Sequence, residues 1–415
     1  MMQRPLRNTL GIGIDIVDLE HFSQSLRRAT PAFYKRVYTQ KELDDSKGRI
    51  GSLATRWACK EAIIKACSAL GMRITFRDIE VLHASSGMAY AVLINRPYLD
   101  VEVSISDDGK YSVAVARVEA WFHNAYRPPK HLVFPDRSET GHKGTFGFLL
   151  VIAGSVGFTG AAYLCANAGV RIGAGLVRLL VPSGIYTVLA AKCTEVMVDA
   201  IDHEGFGFLK GDPLGRITEE LDKANCVVIG PGLGTRKETR DYVVKFLESI
   251  KLPVVIDADG LNAIALEGKQ DLLNERMVIT PHPGEMSRLL KVDTTEVNAN
   301  KVEISRQYAH DRGCVVVLKG ANTCVASPDG SYHICSYKSA LLASGGTGDV
   351  LAGIIGGLMA QGLEPYEAAV TGVEVHAAAA AYLQRYYGDA GLAASDLLGV
   401  IPYACAILRR SLSDK

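Results

Sequence analysis

The sequence lacks the features that define several large classes of protein. Lys and Arg together number 45, as do Asp and Glu, so net charge favours neither nucleic acid nor a membrane as a partner. The nine cysteines form no C-x-x-C pair and are odd in number, which indicates buried thiols in a reducing cytoplasm rather than a disulfide framework or a zinc site. The chain also contains no internal repeat and no low-complexity tract.

No segment has the pattern of a signal peptide or a membrane helix. Residues 1–8 have arginines but no apolar core behind them. The run between Lys143 and Arg171 has no charged residue and exceeds the ~20 residues that cross a bilayer. Gly154 and Gly157 interrupt this run, so a strand, a turn and a buried helix explain it better. We therefore expect a cytoplasmic protein, and its 415 residues predict two or three domains.

The most informative stretch is SGGTGD at residues 344–349, which is followed by an apolar helical run. Glycines let the backbone approach a ligand closely, and the first N–H groups of a helix bind anions. Asp349 would then stand beside an anion site, where a carboxylate can act as a base for a polarised hydroxyl. The stretch indicates phosphoryl chemistry, with the alternative that Asp349 caps a helix and the glycines serve packing.

From His142 onwards, short apolar strands alternate with helical stretches, which predicts a mostly parallel sheet covered by helices on both faces. The predicted strands are 147–152, 176–181, 226–229, 253–256, 277–279 and 314–318. The predicted helices are 159–172, 237–249, 261–266, 284–290, 296–312, 347–361, 365–386 and 395–409. Polar and glycine-rich motifs follow five of the strands, at the edge where such sheets bind ligands.

Each of these motifs also has a purely structural interpretation. Asp257 and Asp259 could be helix N-caps. His282 could be a rigid loop residue, and Lys319 could extend from a strand end into solvent. Five motifs at one edge nevertheless favour a functional site.

Together these segments resemble the ribokinase-like superfamily and, within it, the ADP- or ATP-dependent NAD(P)H-hydrate dehydratases. The matching motifs are HKGTFG, GPGLG, DADGLN, TPHPGEM, VVLKGANT, GGTGDVLAG and GLAASDLLGVIP. The resemblance implies that a nucleotide phosphorylates the hydroxyl of hydrated NADH or NADPH, after which phosphate leaves and the dihydropyridine ring is restored. The alternative within the same fold is a kinase for a small alcohol or a vitamin.

The resemblance also implies roles for particular residues. The adenine nucleotide would be held by Lys319, Gly320, Ala321, Asn322, Thr323 and Gly348. The hydrated dinucleotide would be contacted by Ala161, Gly234, His282 and Asp349. Asp349 would accept the hydroxyl proton, and the turn at 345–348 would stabilise the transferred phosphoryl group. Many family members have Asn where this chain has Ser339, which affects one hydrogen bond to the site.

The N-terminal region presents a second pattern. Residues 11–17 form an apolar strand that contains Asp15, a carboxylate that needs a partner or a metal if it is buried. Residues 53–66 have helical periodicity, with Lys60 and Glu61 off the centre of the apolar stripe. Asp15 and Glu61 could therefore meet across a cleft and bind Mg²⁺. The alternative is an ion pair between Asp15 and Lys60, with Glu61 in solvent.

Two further features complete this region. Residues 21–41 contain five Lys or Arg residues and no Asp or Glu, which suits either a solvated face or the docking of an acidic protein. Strand-like runs at 78–83, 88–94, 100–106 and 111–118 follow the helices and predict a small α+β domain.

The segments GIGIDIVDLEHF, FYKRVYTQKEL, LATRWACKEAIIKA and VEVSISDDGKYSVAVA resemble holo-[acyl-carrier-protein] synthase. The resemblance implies transfer of 4′-phosphopantetheine from coenzyme A to a serine of an acidic acyl carrier protein, which would dock on residues 21–41. Asp15 and Glu61 match the Mg²⁺ ligands, and Lys60 would act in catalysis near the phosphates. Since the family's site forms between subunits of a trimer, a homo-oligomer is also implied.

One departure from this family concerns Asp107, which stands where the family usually has His. Its negative charge near phosphates is expected to weaken coenzyme A binding. The alternative is therefore a non-catalytic domain that serves oligomerisation or carrier docking. The domains are predicted as 1–124 and 142–415, with a proline-containing linker at 125–141.

Overall fold

The computed structural model describes residues 10–83, 88–94, 99–120, 129, 131–201, 207–212 and 217–413. Contacts within the chain divide it into two compact units, one of residues 1–124 with 407–415 and one of residues 125–406. This division differs from the predicted domains at the C-terminus, where residues 407–415 group with the first unit. Residues 125–128 and 130 of the predicted linker lie outside the described residues.

The first unit combines antiparallel strands with helices. Its strands are Leu10–Asp18 (β1), Ile79–His83 (β2), Ala89–Leu93 (β3), Leu99–Asp107 (β4) and Tyr111–Ala120 (β5). Its helices before β2 are Leu19–Arg27 (α1), Pro31–Val37 (α2), Gln40–Ser46 (α3) and Ile50–Ala69 (α4). The strands form an antiparallel sheet in the order β1-β5-β4 and a separate β2-β3 hairpin. The α+β character predicted for this region is confirmed.

Helix α4 lies directly against β1 because two positions of that strand have no side chain. A Cβ atom added to Gly11 would lie 2.0 Å from the Ala66 carbonyl oxygen, and one added to Gly13 would lie 2.0 Å from that of Ala62. The alternate residues of β1, among them Ile12 and Ile14, face away from α4 and are exposed. This packing brings residues of β1 close to residues on the adjacent face of α4.

The second unit is built on one nine-stranded sheet. Its strands are Phe148–Ile152 (β6), Leu176–Val181 (β7), Met197–Ala200 (β8), Cys226–Ile229 (β9), Val254–Ile256 (β10), Met277–Ile279 (β11), Val315–Leu318 (β12), Cys324–Ala326 (β13) and Tyr332–Ile334 (β14). Their order is β14-β13-β12-β11-β10-β9-β6-β7-β8. Pairing is parallel except at β12-β13 and β13-β14. The predicted mostly parallel sheet is confirmed, and β8, β13 and β14 are additions to it.

Helices pack against both faces of this sheet. The helices that follow β6 along the chain are Thr159–Arg171 (α5), Ser183–Lys192 (α6), Thr218–Lys223 (α7), Lys237–Ser249 (α8), Asp259–Glu267 (α9), Pro283–Leu290 (α10), Thr294–Ala299 (α11), Lys301–Arg312 (α12), Thr347–Ala360 (α13), Pro365–Tyr387 (α14) and Ala394–Ser413 (α15). On one face, Phe246 of α8 shares a buried cluster with Leu150 and Ile152. On the other face, a Cβ atom at Gly356 of α13 would lie 2.3 Å from a methyl carbon of Val228. The single helix predicted at 296–312 is two helices, which meet at Asn300.

Helices α5 and α13 are in close backbone contact, and they position two parts of the candidate site. A Cβ atom at Gly353 would lie 2.1 Å from the Cys165 carbonyl oxygen, so only glycine fits there without a shift of one helix.

Seven of the nine cysteines are buried, and Cys193 and Cys405 are partly exposed. In the part of the chain that the structure describes, no helix is both long and apolar enough to cross a membrane.

Candidate functional site

At the carboxyl edge of the large sheet, a buried carboxylate and a lysine form an ion pair. Asp257 follows β10 directly and is only 1% exposed. Its Oδ1 atom accepts hydrogen bonds from the Thr280 hydroxyl at 2.6 Å and from the Lys319 ammonium at 2.7 Å. Helix α9 begins at Asp259 after Ala258, so Asp257 is not its N-cap. Asp257 instead fixes the position of Lys319.

The charge of Lys319 is maintained by the acids around it. Burial lowers the pKa of Lys319, but Asp257 and Glu285 outweigh burial and the pKa is raised overall. The Glu285 carboxylate lies 3.9 Å from the lysine Nζ atom. A Cβ atom at Gly348 would lie 3.3 Å from Nζ, which places this cation next to the glycine turn. Lys319 and Gly348, two residues predicted to hold the nucleotide, therefore lie together.

The glycine turn begins helix α13. Gly346 is the residue before the helix and has φ of 93°, in the left-handed region that favours glycine. Asp349 lies in the first turn of α13. Burial, reinforced by the negative charges of Asp257 and Asp259, raises the pKa of Asp349 to about 7, although Lys319 opposes this. A carboxyl with this pKa can exchange a proton near neutral pH.

A second set of contacts orders the loop after β9. The Gly234 N–H donates to the Asp259 carboxylate at 2.8 Å. Asn262 donates to the other oxygen of Asp259 at 3.1 Å, and Arg288 donates to the Asn262 amide oxygen at 2.8 Å. This series of hydrogen bonds, from Gly234 through Asp259 and Asn262 to Arg288, links the predicted substrate-binding loop to helix α10.

Ala161 and His282 lie at the periphery of this arrangement. Ala161 is on α5, and a Cβ atom at Gly232 would lie 2.9 Å from its methyl carbon. His282 is the N-cap of α10, and its Nδ1 atom accepts from the Gly284 N–H at 2.9 Å. The His282 side chain is 50% exposed, and burial together with Lys319 lowers its pKa. The imidazole is therefore neutral at pH 7, and its Nε2 atom lies 3.4 Å from the Glu285 carboxylate.

Two cavities adjoin these residues. The first, of about 510 Å³, is lined by Lys319, Gly320, Ala321, Thr323 and Gly348, all predicted to hold nucleotide. The second, of about 780 Å³, includes Ser155, Gly234 and Asp259 among its lining residues.

Asn322 has φ of 60° and lines a separate depression of about 290 Å³ that it shares with Gly320 and Ala321. Ser339, which stands where many family members have Asn, lines the first cavity and accepts from the Leu341 N–H at 3.2 Å. The carboxyl edge of the large sheet thus has one pocket beside Lys319 and another beside Gly234.

In the first unit, Asp15 and Glu61 lie close enough to interact electrostatically. Burial raises the pKa of Glu61, and the Asp15 charge raises it further, while Lys65 opposes both. Lys65 donates to the Asp15 carboxylate at 2.7 Å. Two carboxylates that destabilise each other's charge form a suitable donor set for a divalent cation. The ion pair considered from the sequence exists, but its cation is Lys65 and not Lys60.

The structure gives Lys60 a different environment from the predicted one. Its side chain is fully buried, on the packed face of α4 rather than beside it. The ammonium donates to the Glu42 carboxylate at 2.7 Å, to the Val37 carbonyl at 2.8 Å and to the Phe76 carbonyl at 3.1 Å. With three acceptors it has no free donor for a phosphate. We therefore revise the role expected for Lys60 from catalysis to holding α3 and α4 together.

The basic stretch and Asp107 are both accessible. Arg27, Arg28, Lys35 and Arg36 are exposed on or near α1 and α2.

Asp107 accepts from the Ser112 hydroxyl at 2.6 Å and from the Gly109 N–H at 2.8 Å. It lines a cavity of about 510 Å³ together with residues that include Arg49, Arg56 and His83.

Comparison with known families gives these two regions separate matches. A family model described as NAD(P)H-hydrate dehydratase matches residues 149–403, more than half of the chain. The chain belongs to the NAD(P)H-hydrate dehydratase family. A second model, described as the 4′-phosphopantetheinyl transferase superfamily, matches residues 11–116. The fusion of these two family regions, predicted from the sequence motifs, is confirmed.

Two named relatives define how far the similarity extends. The bifunctional NAD(P)H-hydrate repair enzyme Nnr of Moorella thermoacetica is 41% identical over 271 residues, which cover 65% of this chain and 51% of that protein. The ADP-dependent (S)-NAD(P)H-hydrate dehydratase of Neisseria meningitidis serogroup B is 36% identical over 286 residues, which cover 68% of this chain and 91% of that protein. The chain spans about half the length of the Nnr relatives it matches.

Solved structures support the same fold. The ADP/ATP-dependent NAD(P)H-hydrate dehydratase from Bacillus subtilis, co-crystallised with ATP/Mg²⁺, is 26% identical with a TM-score of 0.55 and covers 66% of this chain and 94% of that one. A ribokinase-like superfamily protein from Enterococcus faecalis also has this fold, with a TM-score of 0.58, 24% identity and coverage of 66% of this chain and 92% of that one. The predicted ribokinase-like fold of the second region is confirmed.

Three contacts in this family member were not predicted from its sequence. Lys65 is one helical turn after Glu61, and this spacing alone could have identified it as the partner on that face. The Lys319–Asp257 pair joins residues distant in the chain, and the Glu42–Lys60 pair is equally non-local. No local pattern indicates either of the last two pairs.

Proposed function

We propose that this family member uses ADP or ATP to dehydrate hydrated NADH or NADPH. The observation with most weight is the carboxyl of Asp349, with a pKa of about 7, at the glycine turn that also adjoins Lys319. This arrangement pairs a base with an anion site, as phosphorylation of a hydroxyl requires. The substrate class comes from the relatives, which are named as an NAD(P)H-hydrate repair enzyme and an NAD(P)H-hydrate dehydratase.

The proposed reaction has two steps. Asp349 takes the proton of the substrate hydroxyl while the hydroxyl oxygen attacks the terminal phosphorus of the nucleotide. The bond from this phosphorus to the bridging oxygen of the leaving nucleotide breaks at the same time. ADP would leave as AMP, and ATP as ADP. The C–O bond of the phosphate ester then breaks, phosphate departs with the electron pair, and loss of a ring proton restores the dihydropyridine.

The protein groups around Asp349 would act by position and charge. The N–H groups at the start of α13 would stabilise the charge that collects on the phosphoryl oxygens. Lys319 and Gly348 would hold the nucleotide together with Gly320, Ala321, Asn322 and Thr323. Ala161, Gly234 and His282 would contact the dinucleotide. Of these, Gly234 lines the 780 Å³ cavity.

The product distinguishes this activity from a small-alcohol or vitamin kinase. Hydrated NADH incubated with ADP should regain the absorbance of NADH and release inorganic phosphate in equal amount. Asp349→Asn should lower turnover by about a thousandfold, the middle of the range for acid–base groups, and should leave nucleotide affinity within a few fold. Accumulation of a stable phosphate ester, or full turnover by the variant, would contradict the proposal.

We also propose that the first unit transfers 4′-phosphopantetheine from coenzyme A to a serine of acyl carrier protein. Asp15 and Glu61 would hold Mg²⁺, and their mutual repulsion supports a cation at that place. When bound, Mg²⁺ would neutralise charge that develops on the phosphate oxygens. The exposed cations within residues 21–41 would dock the acidic carrier.

The test is a mass measurement on the carrier. Apo carrier protein, coenzyme A and Mg²⁺ should give a carrier heavier by one phosphopantetheine group. Glu61→Gln should abolish this gain, and removal of Mg²⁺ by a chelator should do the same. If the carrier gains no mass where a known synthase modifies it, the first unit is instead an oligomerisation or docking module.

A homo-oligomer belongs to the same proposal. Ile12, Ile14 and Ile16 on one face of β1 are 58–62% exposed, an unusual position for three neighbouring large apolar side chains. A second copy of the chain would cover this stripe. Ile14→Lys should lower the mass measured by light scattering, and an unchanged mass would place any contact between copies elsewhere.

A further inference from the structure

His376 is a buried side chain of helix α14 with one ring nitrogen unused. The residue is 7% exposed, and its Nε2 atom has no hydrogen-bond partner among the described residues. Its ring is hydrogen-bonded to the backbone of Thr347, the second residue of the turn's Gly346–Gly348 segment. Because an unsatisfied buried polar atom costs free energy, a function for Nε2 is expected.

The position of His376 connects it to the nucleotide residues. It lines the 510 Å³ cavity that Lys319, Gly320, Ala321, Thr323 and Gly348 also line. The remaining wall is mainly apolar, with side chains such as Leu342, Val373 and Ala377. An apolar wall with few polar groups suits the nucleoside half of a ligand better than its phosphates.

The chemistry of the ring limits what Nε2 can bind. Burial lowers the pKa of His376 to about 4, with Lys319 also lowering it and the Thr347 bond opposing this, so the ring is neutral at pH 7. The hydrogen bond to the Thr347 backbone raises the pKa of His376, as a bond from the ring to a carbonyl oxygen does. Because Nε2 has no partner, Nδ1 is the nitrogen that donates to the Thr347 carbonyl. Nε2 of a neutral imidazole with its other nitrogen protonated is an acceptor. A phosphate oxygen that has no proton cannot satisfy it.

We propose that His376 Nε2 accepts a hydrogen bond from the nucleoside half of the adenine nucleotide. This inference rests on the proposed use of ADP or ATP and deepens it. Two groups of the nucleoside supply the required N–H or O–H, the exocyclic amine of the base and the ribose hydroxyls. Through Thr347 the same ring supports the phosphate turn, so His376 would link recognition of the nucleoside to the geometry of that turn.

Base selectivity follows if the donor is the amine. Hypoxanthine and guanine have a carbonyl oxygen where adenine has its amine. That oxygen would face the Nε2 lone pair with no proton between them. The two acceptors would repel each other and leave Nε2 unsatisfied, so the site would discriminate against IDP and GDP.

Calorimetry with full-length protein tests the inference without turnover. The ligands are ADP, purine riboside 5′-diphosphate (which has hydrogen in place of the amine), 2′-deoxy-ADP and 3′-deoxy-ADP. The wild type should bind one of these analogues roughly 3- to 10-fold more weakly than ADP, as expected for one lost neutral hydrogen bond. An effect on the purine riboside compound identifies the amine, and an effect on a deoxy compound identifies that hydroxyl.

Two variants separate direct recognition from support of the turn. His376→Leu should weaken ADP binding by that factor more than it weakens binding of the analogue that lacks the donor, because a loss of support for the turn affects both ligands equally. His376→Gln keeps an acceptor oxygen and should regain part of the lost ADP affinity. Thermal unfolding of each variant monitors the fold, and the wild-type comparison of ligands stands even if the Leu variant does not fold.

Two results would overturn the inference, and a third would overturn the proposed function. If the wild type binds ADP and all analogues equally, His376 makes no contact with the nucleoside and the inference is overturned. The same conclusion follows if His376→Leu weakens every ligand by one common factor, because the residue then acts only through Thr347. If the wild type binds no adenine nucleotide, the proposed function itself fails.

Discussion

At the scale of single residues, Asp349 is defined by its surroundings rather than by its chemical type. A solvated aspartate is almost fully ionised at neutral pH and is a weak base. In this site, burial and the neighbouring acids raise its pKa to about 7, so that it is both a stronger base and still substantially ionised at pH 7. Lys319, held by Asp257, limits the rise and keeps the carboxylate available.

The pH dependence of dehydration tests this description of Asp349. The raised pKa means that Asp349 loses its charge as pH falls through about 7, so kcat/KM should fall tenfold per pH unit below that value and level off above it. The measurement is a pH profile of kcat/KM with hydrated NADH and ADP. A profile that stays flat down to pH 5 would exclude Asp349 as the titrating base.

Lys60 provides a second test at this scale, with Lys65 on the same helix as its matched control. Lys60→Met leaves Glu42 charged and fully buried without its cation, which should cost about 3–5 kcal/mol of unfolding free energy. Lys65→Met removes a half-exposed partner of Asp15 and should cost less than about 1 kcal/mol. Urea unfolding measures both, and equal losses would contradict the structural role given to Lys60.

Asp107 gives a third prediction. Its carboxylate lines the same cavity as Arg49 and Arg56, and its negative charge would repel an anionic ligand bound there. Asp107→His should therefore tighten coenzyme A binding, and Asp107→Asn should produce part of the same gain by removing the charge alone. Calorimetry with coenzyme A measures the change. Unchanged or weaker binding by both variants would count against repulsion at this position.

At the scale of secondary structure elements, the contact between α5 and α13 positions the site. Helix α5 presents Ala161 and α13 begins at the turn before Asp349, so the separation of the two helices fixes the distance between these residues. Gly353 permits the close approach because the Cys165 carbonyl occupies the place of a Cβ atom. The same device is used in the first unit, where Gly11 and Gly13 of β1 admit α4.

Gly353→Ala should therefore separate the two helices or strain them. We expect a loss of about 1–3 kcal/mol in unfolding free energy, the range for an overpacked core, together with reduced dehydration. Gly160→Ala on α5 is the control, because a Cβ atom there would have no neighbour within 4 Å. The unfolding free energy of that variant should be unchanged or higher by up to about 1 kcal/mol. Thermal unfolding measures both variants. A tolerated Gly353→Ala would show that the helices have room to move.

At the scale of the whole molecule, the two proposed sites use separate residues in separate compact units. Each should therefore be inactivated independently. Glu61→Gln should abolish carrier modification and leave dehydration unchanged, and Asp349→Asn should do the reverse. Both activities are assayed on each full-length variant. If Glu61→Gln also lowers dehydration in a correctly folded protein, the activities are coupled.

The sequence predicted the strands of the large sheet well because continuous Val, Ile and Leu runs are a local signal. Three of the six predicted strands, at 176–181, 226–229 and 277–279, have the observed bounds, and the other three begin one residue before the observed strands. Strands β8 (MVDA), β13 (CVA) and β14 (YHI) were missed because none of them contains a continuous run of Val, Ile and Leu. Asn300, where α11 ends and α12 begins, lies within a pattern that is helical on both sides.

The two families, the alternation of strands and helices, and the motifs at the carboxyl edge of the sheet were all predictable from the sequence. These features depend on residue type and on spacing along the chain. The pairing of charges depends instead on how distant segments pack, which brings Lys60 to Glu42, Lys65 to Asp15 and Lys319 to Asp257. Burial and the charges of nearby residues set the pKa of Asp349, and burial leaves Nε2 of His376 without a partner among the described residues. Both environments form only when distant segments of the chain pack together.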